Sequence, residues 1–382
     1  MLYQQSILIF NGLVALSPLF FYAFVAIGIV NISYFAYFSI FPFRPQRYIQ
    51  TNSEEEKGIS VIVCAQNEIN NLRTLIPKLL EQDFSVFEIL IVNDHSTDGS
   101  LELLREFDQK HRNFKFLNLT EQTGKKAGIT VAVALAQYDR LVFTDADCIP
   151  ASKHWLRAMH STFTPNVEIV LGYGAYLKLK NSFLNKLIRF ETLLTALQYF
   201  AYTLRKNTYM GVGRNLAYTK TLFTTSGGFE SHKHVKPGDD DLFVNQNATP
   251  TNVALCINPE AFTISQPKTT WKSWFIQKRR HVGIAHLYQA KHQVQLALFY
   301  CSQVLFFLFF LGAALTATAH FYIILCLFVV RELYVWSIYA STAKKLQERD
   351  LIPFILLLEP FLVSLQMLIF ISNSLVKPRR WK

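Results

Sequence analysis

Residues 139–150 read DRLVFTDADCIP. Leu141, Val142 and Phe143, followed by Thr144, make the short apolar run that a buried strand needs, and the run opens directly into Asp145-Ala146-Asp147. Two carboxylates at i and i+2 on the end of a buried strand repel each other and are costly to desolvate unless something positive compensates them. A hard divalent cation does so, and such a cation is also how proteins hold a diphosphate. A turn with two solvated acids fits the same residues taken alone. The surrounding chain has to decide.

Upstream, strand and helix signals alternate. GISVIVC (58–64), FEILIVN (87–93), FKFLNL (114–119) and RLVFT (140–144) read as strands. Between them, Glu68–Leu80 carries apolar residues at Leu72, Leu75, Ile76, Leu79 and Leu80. Ser100–Gln109 has Leu101, Leu104 and Phe107 on one face, and Lys125–Gln137 is a third helix. Strand and helix alternating four times predicts a Rossmann-like, largely parallel α/β sheet. Ligands of such sheets sit at the carboxyl ends of the strands. The polar clusters QNE (66–68), NDHSTDG (93–99) and DAD (145–147) all fall there. Downstream, the spacing predicts a helix over 152–163, a strand over 168–173 and a helix over 181–204. The Gly-rich stretch MGVGRNLAYTK (210–220), SGGF (226–229) and the acid run GDDDLF (238–243) follow.

The chain has 382 residues, of which 51% are hydrophobic, with 33 Phe, yet 17% are charged. That balance calls for a water-soluble part and a membrane part. The net charge of +11 falls beside apolar segments rather than in a stripe interleaved with stacking aromatics, so membrane headgroups and phosphorylated substrates, not nucleic acid, are the expected partners. Five cysteines without paired spacing suggest neither disulfides nor zinc and fit a reducing compartment.

Ser6–Phe41 is almost uncharged and long enough for one crossing, with a short approach helix broken at Pro18. A signal peptide does not fit, because a basic n-region is lacking and the run is too long. Arg44 and Arg47, then the polar linker TNSEEEKG, place the following domain on the cytoplasmic side. Lys268–His292 is basic with interleaved Trp271, Trp274, Phe275 and Tyr288, which suits an amphipathic helix at a membrane surface. Two or three apolar spans follow, at about 294–317, 320–341 and 352–375. Arg331, Glu332 and Glu359 within them should face the bundle interior and pair. Three full crossings would put the basic tail KPRRWK outside, against the positive-inside tendency. The expected division is 1–43 membrane segment, 44–265 catalytic domain, 266–292 interfacial segment and 293–382 membrane region.

In order, ISVIVCAQNE, ILIVNDHSTDG, GKKAGIT, VFTDADC, GDDDLF and QKRRH resemble the membrane-bound glycosyltransferases of family 2 over roughly residues 58–285. The resemblance implies a GT-A fold with N- and C-terminal transmembrane helices in the inner or plasma membrane. It also implies an inverting enzyme that uses a nucleotide-sugar donor and Mg²⁺ or Mn²⁺. Asp94 then takes the place of the acid that reads the base, with Glu68 on the same nucleotide side. Lys125 matches the family lysine near the nucleotide, with Lys126 the neighbouring candidate, and Gly124 would offer backbone donors to an anion. Asp147 ligates the metal, while Asp145 contacts ribose or shares the metal. The acid run supplies the base: anchoring on Leu242 makes it Asp239, and pairing Asp239 with the family Glu makes it Asp240, which is preferred. Gln277 and Arg280 match Gln-x-x-Arg-Trp, with Arg280 as a phosphate clamp. His281 replaces the Trp and removes a stacking platform for a growing glycan. Single transfer to a lipid, lipid-linked or glycan acceptor is therefore expected, with a processive polysaccharide synthase as the alternative. A catalytically inactive nucleotide-sugar-binding protein is the reading from another class. A dinucleotide oxidoreductase is disfavoured, because AQNE rather than G-x-G-x-x-G follows the first strand. Oligomeric state and sugar identity have no sequence signature here.

Overall fold

The computed structural model describes residues 17–45, 57–121, 123–235, 237–316 and 320–375. The approach helix before Pro18, the linker TNSEEE, Arg47 and the tail KPRRWK lie outside the described residues, as does the side chain of His281. The chain forms two compact units, one of residues 45–273 with 287–289, the other of residues 1–44, 274–286 and 290–382.

Among the described residues the first unit is built on ten strands: β1 Ile59–Ala65, β2 Phe87–Asn93, β3 Phe114–Asn118, β4 Arg140–Phe143, β5 Cys148–Pro150, β6 Ile169–Gly172, β7 Gly174–Tyr176, β8 Leu216–Thr219, β9 Val253–Cys256 and β10 Thr263–Ser265. Seven of them form a sheet in the order β3-β2-β1-β4-β8-β6-β9, and three form a small sheet β5-β10-β7. The β3-β2-β1-β4 half is parallel, with Val61 opposite Ile89 and Val142. β8 runs antiparallel to both β4 and β6. The near-continuous apolar runs of β1 and β2 follow from this, since central parallel strands are buried on both faces.

One face packs Val61, Val63, Ile89, Ile91, Val142, Val170 and Ala217 against Leu72, Leu75, Ile76 and Leu79 of the helix Ile69–Leu80, and against Trp155 and Met159 of the helix Trp155–Thr162. Asn215 ties this layer to the small sheet. It accepts from Trp155 Nε1 at 3.0 Å and donates to the carbonyls of Tyr173 and Ala261 at 3.0 and 2.6 Å. Asp98 caps two helices at once, taking the N–H of Ile69 at 3.0 Å and of Ser100 at 3.1 Å. The loops after β1 and β2 are thereby locked together.

In the second unit, four helices among the described residues are long and apolar enough to cross a membrane: Pro18–Phe43, Ala290–Thr316, Phe321–Lys345 and Arg349–Leu375. Arg331 is buried among them and all five of its N–H donors are engaged. Asn31 Oδ1 takes two (2.9 and 2.7 Å), Glu332 Oε1 one (2.7 Å) and the Glu359 carboxylate two (3.1 and 2.8 Å). Asn31 also donates to Ser302 Oγ at 3.2 Å, so this one network touches all four helices. The basic segment does not form one helix across 268–292. Its helix spans Trp271–Val282 and stops at Gly283, whose lack of a side chain weakens helix propagation, and His292 belongs to the apolar helix that starts at Ala290.

Candidate active site

The site lies at the carboxyl ends of β1, β2 and β4. After β2, Asp94 is nearly buried, with Oδ1 2.9 Å from His95 Nδ1 and Oδ2 accepting the Gly124 N–H at 2.9 Å. Gly124, at φ +94°, is therefore not an open anion donor: the protein's own Asp94 takes its N–H. Glu68, at the end of the loop after β1, accepts from Asn71 Nδ2 at the start of the next helix. Gln66 holds the two loops in register by donating to the Asp94 carbonyl at 2.9 Å.

The helix Lys125–Leu135 starts with its first two residues pointing apart. Lys125 Nζ reaches Asp145 Oδ1 at 2.7 Å and Asp239 Oδ2 at 2.8 Å. Lys126 instead donates to the carbonyls of His232 and Val235 at 2.8 and 2.9 Å, and burial pushes its pKa down to about 8. The neighbouring candidate is thus a cross-link of the 232–235 loop. Burial alone would discharge Lys125, but Asp145, Asp239 and Asp240 outweigh it and hold the ammonium charged.

Asp145, Asp147 and Cys148 bring one ligand atom each within 4.8 Å of one another. Burial, and then the charge of Asp145, push the Asp147 carboxyl up, as expected where an anion pair has incomplete compensation. Carboxylate oxygens are the donors a hard cation selects, so the pair fits Mg²⁺ or Mn²⁺. The Cys148 thiol is buried 2.8 Å from Ser265 Oγ, and burial pushes its pKa up, so the two carboxylates are the residues that could hold a hard cation.

In the acid run, Asp240 caps the helix Asp241–Asn247. Its Oδ2 accepts the Gly213 N–H at 2.7 Å and its Oδ1 the Asp241 N–H at 2.8 Å. Burial and then Asp239 push its pKa up. Asp241 turns inward, where Tyr288 donates to Oδ2 at 2.7 Å, and burial with Asp240 pushes its pKa up to about 8. The three acids thus have three settings: an ion pair, a backbone anchor and a buried hydrogen bond.

Gln277 and Arg280 stand on the basic helix in the other unit. Beside them, Arg279 Nε donates to Asn373 Oδ1 at 2.8 Å. His232 is buried, with Nε2 3.0 Å from the Gly238 carbonyl. Arg214, just before β8, went unread in the sequence. Its guanidinium lies 4.2 Å over the Tyr176 ring and 3.2 Å from the Ala175 carbonyl, and its charge acts on both Asp145 and Asp147. A charged residue two positions ahead of the apolar run LAYT is the available signal, since burial there demands a partner.

Fold and site together define a GT-A domain, with acids gathered at the carboxyl edge of a mixed, largely parallel sheet. Residues 60–226 match the family model "Glycosyl transferase family 2". The chain is 29% identical over 132 residues to the poly-beta-1,6-N-acetyl-D-glucosamine synthase of Staphylococcus epidermidis, covering 34% of this chain and 32% of that protein. It is 25% identical over 212 residues to the enzyme of the same name from Staphylococcus aureus (strain MSSA476), covering 54% and 50%. The matches thus span about a third to a half of the curated relatives' own length. A mannosyltransferase from Pyrobaculum calidifontis, solved in complex with GDP-Man and Mn²⁺, shares the fold with a TM-score of 0.57 at 17% identity, over 93% of this chain and 99% of that one. Residues 60–226 are thus similar to glycosyltransferase family 2, on a GT-A fold.

Proposed function

We propose that the protein is an inverting, metal-dependent glycosyltransferase that moves a sugar from a nucleotide-sugar donor to a lipid, lipid-linked or glycan acceptor at the cytoplasmic face of the membrane. The observation that carries this reading is the bridge of Lys125 between Asp145 and Asp239, which unites the donor-side acids and the acid run in one charged cluster. Asp94 and Glu68 recognise the nucleotide. Asp145 and Asp147 would hold the cation, whose charge, when bound, offsets that of the diphosphate. Lys125 supplies a fixed positive charge beside it, and steadying the departing diphosphate is the role that the family resemblance implies for Gln277 and Arg280.

Asp240 serves as the base. Its raised pKa brings it toward the range in which a carboxylate takes a proton efficiently at neutral pH, and two backbone N–H groups fix its orientation. As the acceptor O–H gives its proton to Asp240, the acceptor oxygen bonds the anomeric carbon and the bond to the diphosphate oxygen breaks on the opposite side. Inversion is what the family resemblance implies. The four apolar helices support attachment to a membrane, and Arg44 beyond the first of them supports the cytoplasmic side.

A second reading, a processive polysaccharide synthase, is favoured by the names of the staphylococcal relatives. One experiment separates the two. Purified full-length protein is given nucleotide sugars carrying mannose or N-acetylglucosamine, with Mn²⁺ or Mg²⁺ and a lipid extract. Products of one added sugar support single transfer and a ladder supports the synthase. Neither transfer nor donor hydrolysis with any donor would contradict both.

A further inference from the structure

Behind the acid cluster, toward the sheet, is a small cavity with room for about one water molecule. Lys125, Asp239, Asp240, Gly213 and Cys64 line its polar side. Its floor comes from one face of the sheet, where Ile62 on β1, Phe143 on β4 and Leu216 on β8 lie in register. Tyr218 lies two residues along β8 from Leu216, so its side chain shares that face and lines the same cavity.

The Tyr218 ring is held firmly. It stacks on Phe143 with centroids 4.3 Å apart and packs against Phe243 at 4.5 Å. Its hydroxyl, by contrast, is buried, and among the described residues nothing bonds it. A phenol buried without a partner is costly, and a phenylalanine would fill the same apolar slot without that cost. Asp239, Cys64, Lys125 and Asp240 all act electrostatically on the hydroxyl, which places it at the polar side of the cavity. Burial keeps it protonated, so it can only donate toward carboxylates.

We propose that Tyr218 is a positioning residue for the acid pair: its hydroxyl, through a water seated in this cavity, donates a hydrogen bond toward the Asp239–Asp240 carboxylates and holds them for the acceptor's proton. The proposal rests on the glycosyltransferase reading above. It adds a residue from the middle of β8 whose ring belongs to the core and whose hydroxyl serves the site.

The test is Tyr218→Phe in the full-length protein, assayed beside wild type with GDP-Man and with a nucleotide diphosphate carrying N-acetylglucosamine, each with Mn²⁺. We expect kcat to fall roughly tenfold or more, the size of one hydrogen bond to a charged group. KM for the donor and the thermal midpoint stay at wild-type values. The acidic limb of the pH–rate profile moves to higher pH, because a carboxylate that loses a donor protonates more readily. An unmoved kcat and pH profile would overturn the proposal, as would a kcat loss matched by an equal loss of folded protein. An inactive wild type overturns the glycosyltransferase reading and this proposal together, whereas an active wild type with an unchanged variant overturns this proposal alone.

Discussion

Lys125 Nζ lies 2.8 Å from Asp239 Oδ2, an ion pair that joins the start of one helix to the loop ahead of another more than a hundred residues later. The same ammonium reaches Asp145 at 2.7 Å. Lys125→Gln should leave three neighbouring carboxylates without their shared cation. The expected result is a fall in kcat/KM on the order of 10²-fold, as for loss of one preorganised electrostatic group, and a lower thermal midpoint. Steady-state kinetics and a melting curve on the same preparation check both.

Asp239 and Asp240 should separate when replaced one at a time. Asp240→Asn removes the proton acceptor and is expected to abolish turnover while donor binding, followed by titration calorimetry with the best nucleotide-sugar donor and Mn²⁺, persists. Asp239→Asn breaks the Lys125 pair and is expected to weaken donor binding first. The reverse pattern would make Asp239 the base.

Asp241 gives a pH dependence of stability. Its folded pKa is raised from 3.8 to about 8, so between those values the folded state holds a proton that the unfolded state has lost. The stability it contributes is full below the unfolded pKa and is lost as pH rises through the folded one. The thermal midpoint should therefore drop between about pH 5 and about pH 8.5. Asp241→Asn should flatten that drop. Tyr288→Phe removes the hydrogen bond that favours the ionised form and should steepen it.

The membrane-helix network predicts a non-additive series. Arg331→Leu alone strands Glu332 and Glu359 in an apolar bundle and should cost about 3–5 kcal/mol, the usual cost of breaking a buried pair. Replacing Arg331, Glu332 and Glu359 together by Leu should be far milder, because no charge is left unpaired. Yield and thermal midpoint of the detergent-purified variants report the difference.

Much of this was legible in the sequence for physical reasons. The β1 and β2 runs read as strands of a largely parallel sheet, and acids at strand ends in such an alternating pattern fall at one edge of the sheet. Arg331 and the two glutamates pair because a bundle of apolar helices offers a charge few other partners. Directions of side chains were not legible. Lys125 and Lys126 are adjacent and identical in type, yet one faces the acids and the other the 232–235 carbonyls, since neighbours on a helix diverge. Gly124 looked like an anion donor until the fold brought Asp94 to it. The three-residue strands β5, β7 and β10 left no periodic trace, because each is too short for an alternation to stand out. Arg214 and Tyr218 acquire their meaning only from partners across the sheet.

The central claim is that Asp145 and Asp147 hold a cation beside an acid that takes the acceptor's proton. The direct measurement is sugar transfer by the purified full-length protein, with its best nucleotide-sugar donor, before and after EDTA, for wild type, Asp147→Asn and Asp240→Asn. The account predicts that wild type loses transfer with EDTA and regains it with Mn²⁺ or Mg²⁺. Asp147→Asn should need far more metal or stay inactive, and Asp240→Asn should stay inactive at any metal concentration while remaining folded. Transfer that ignores EDTA, or that survives at wild-type rate in both variants, would contradict the account.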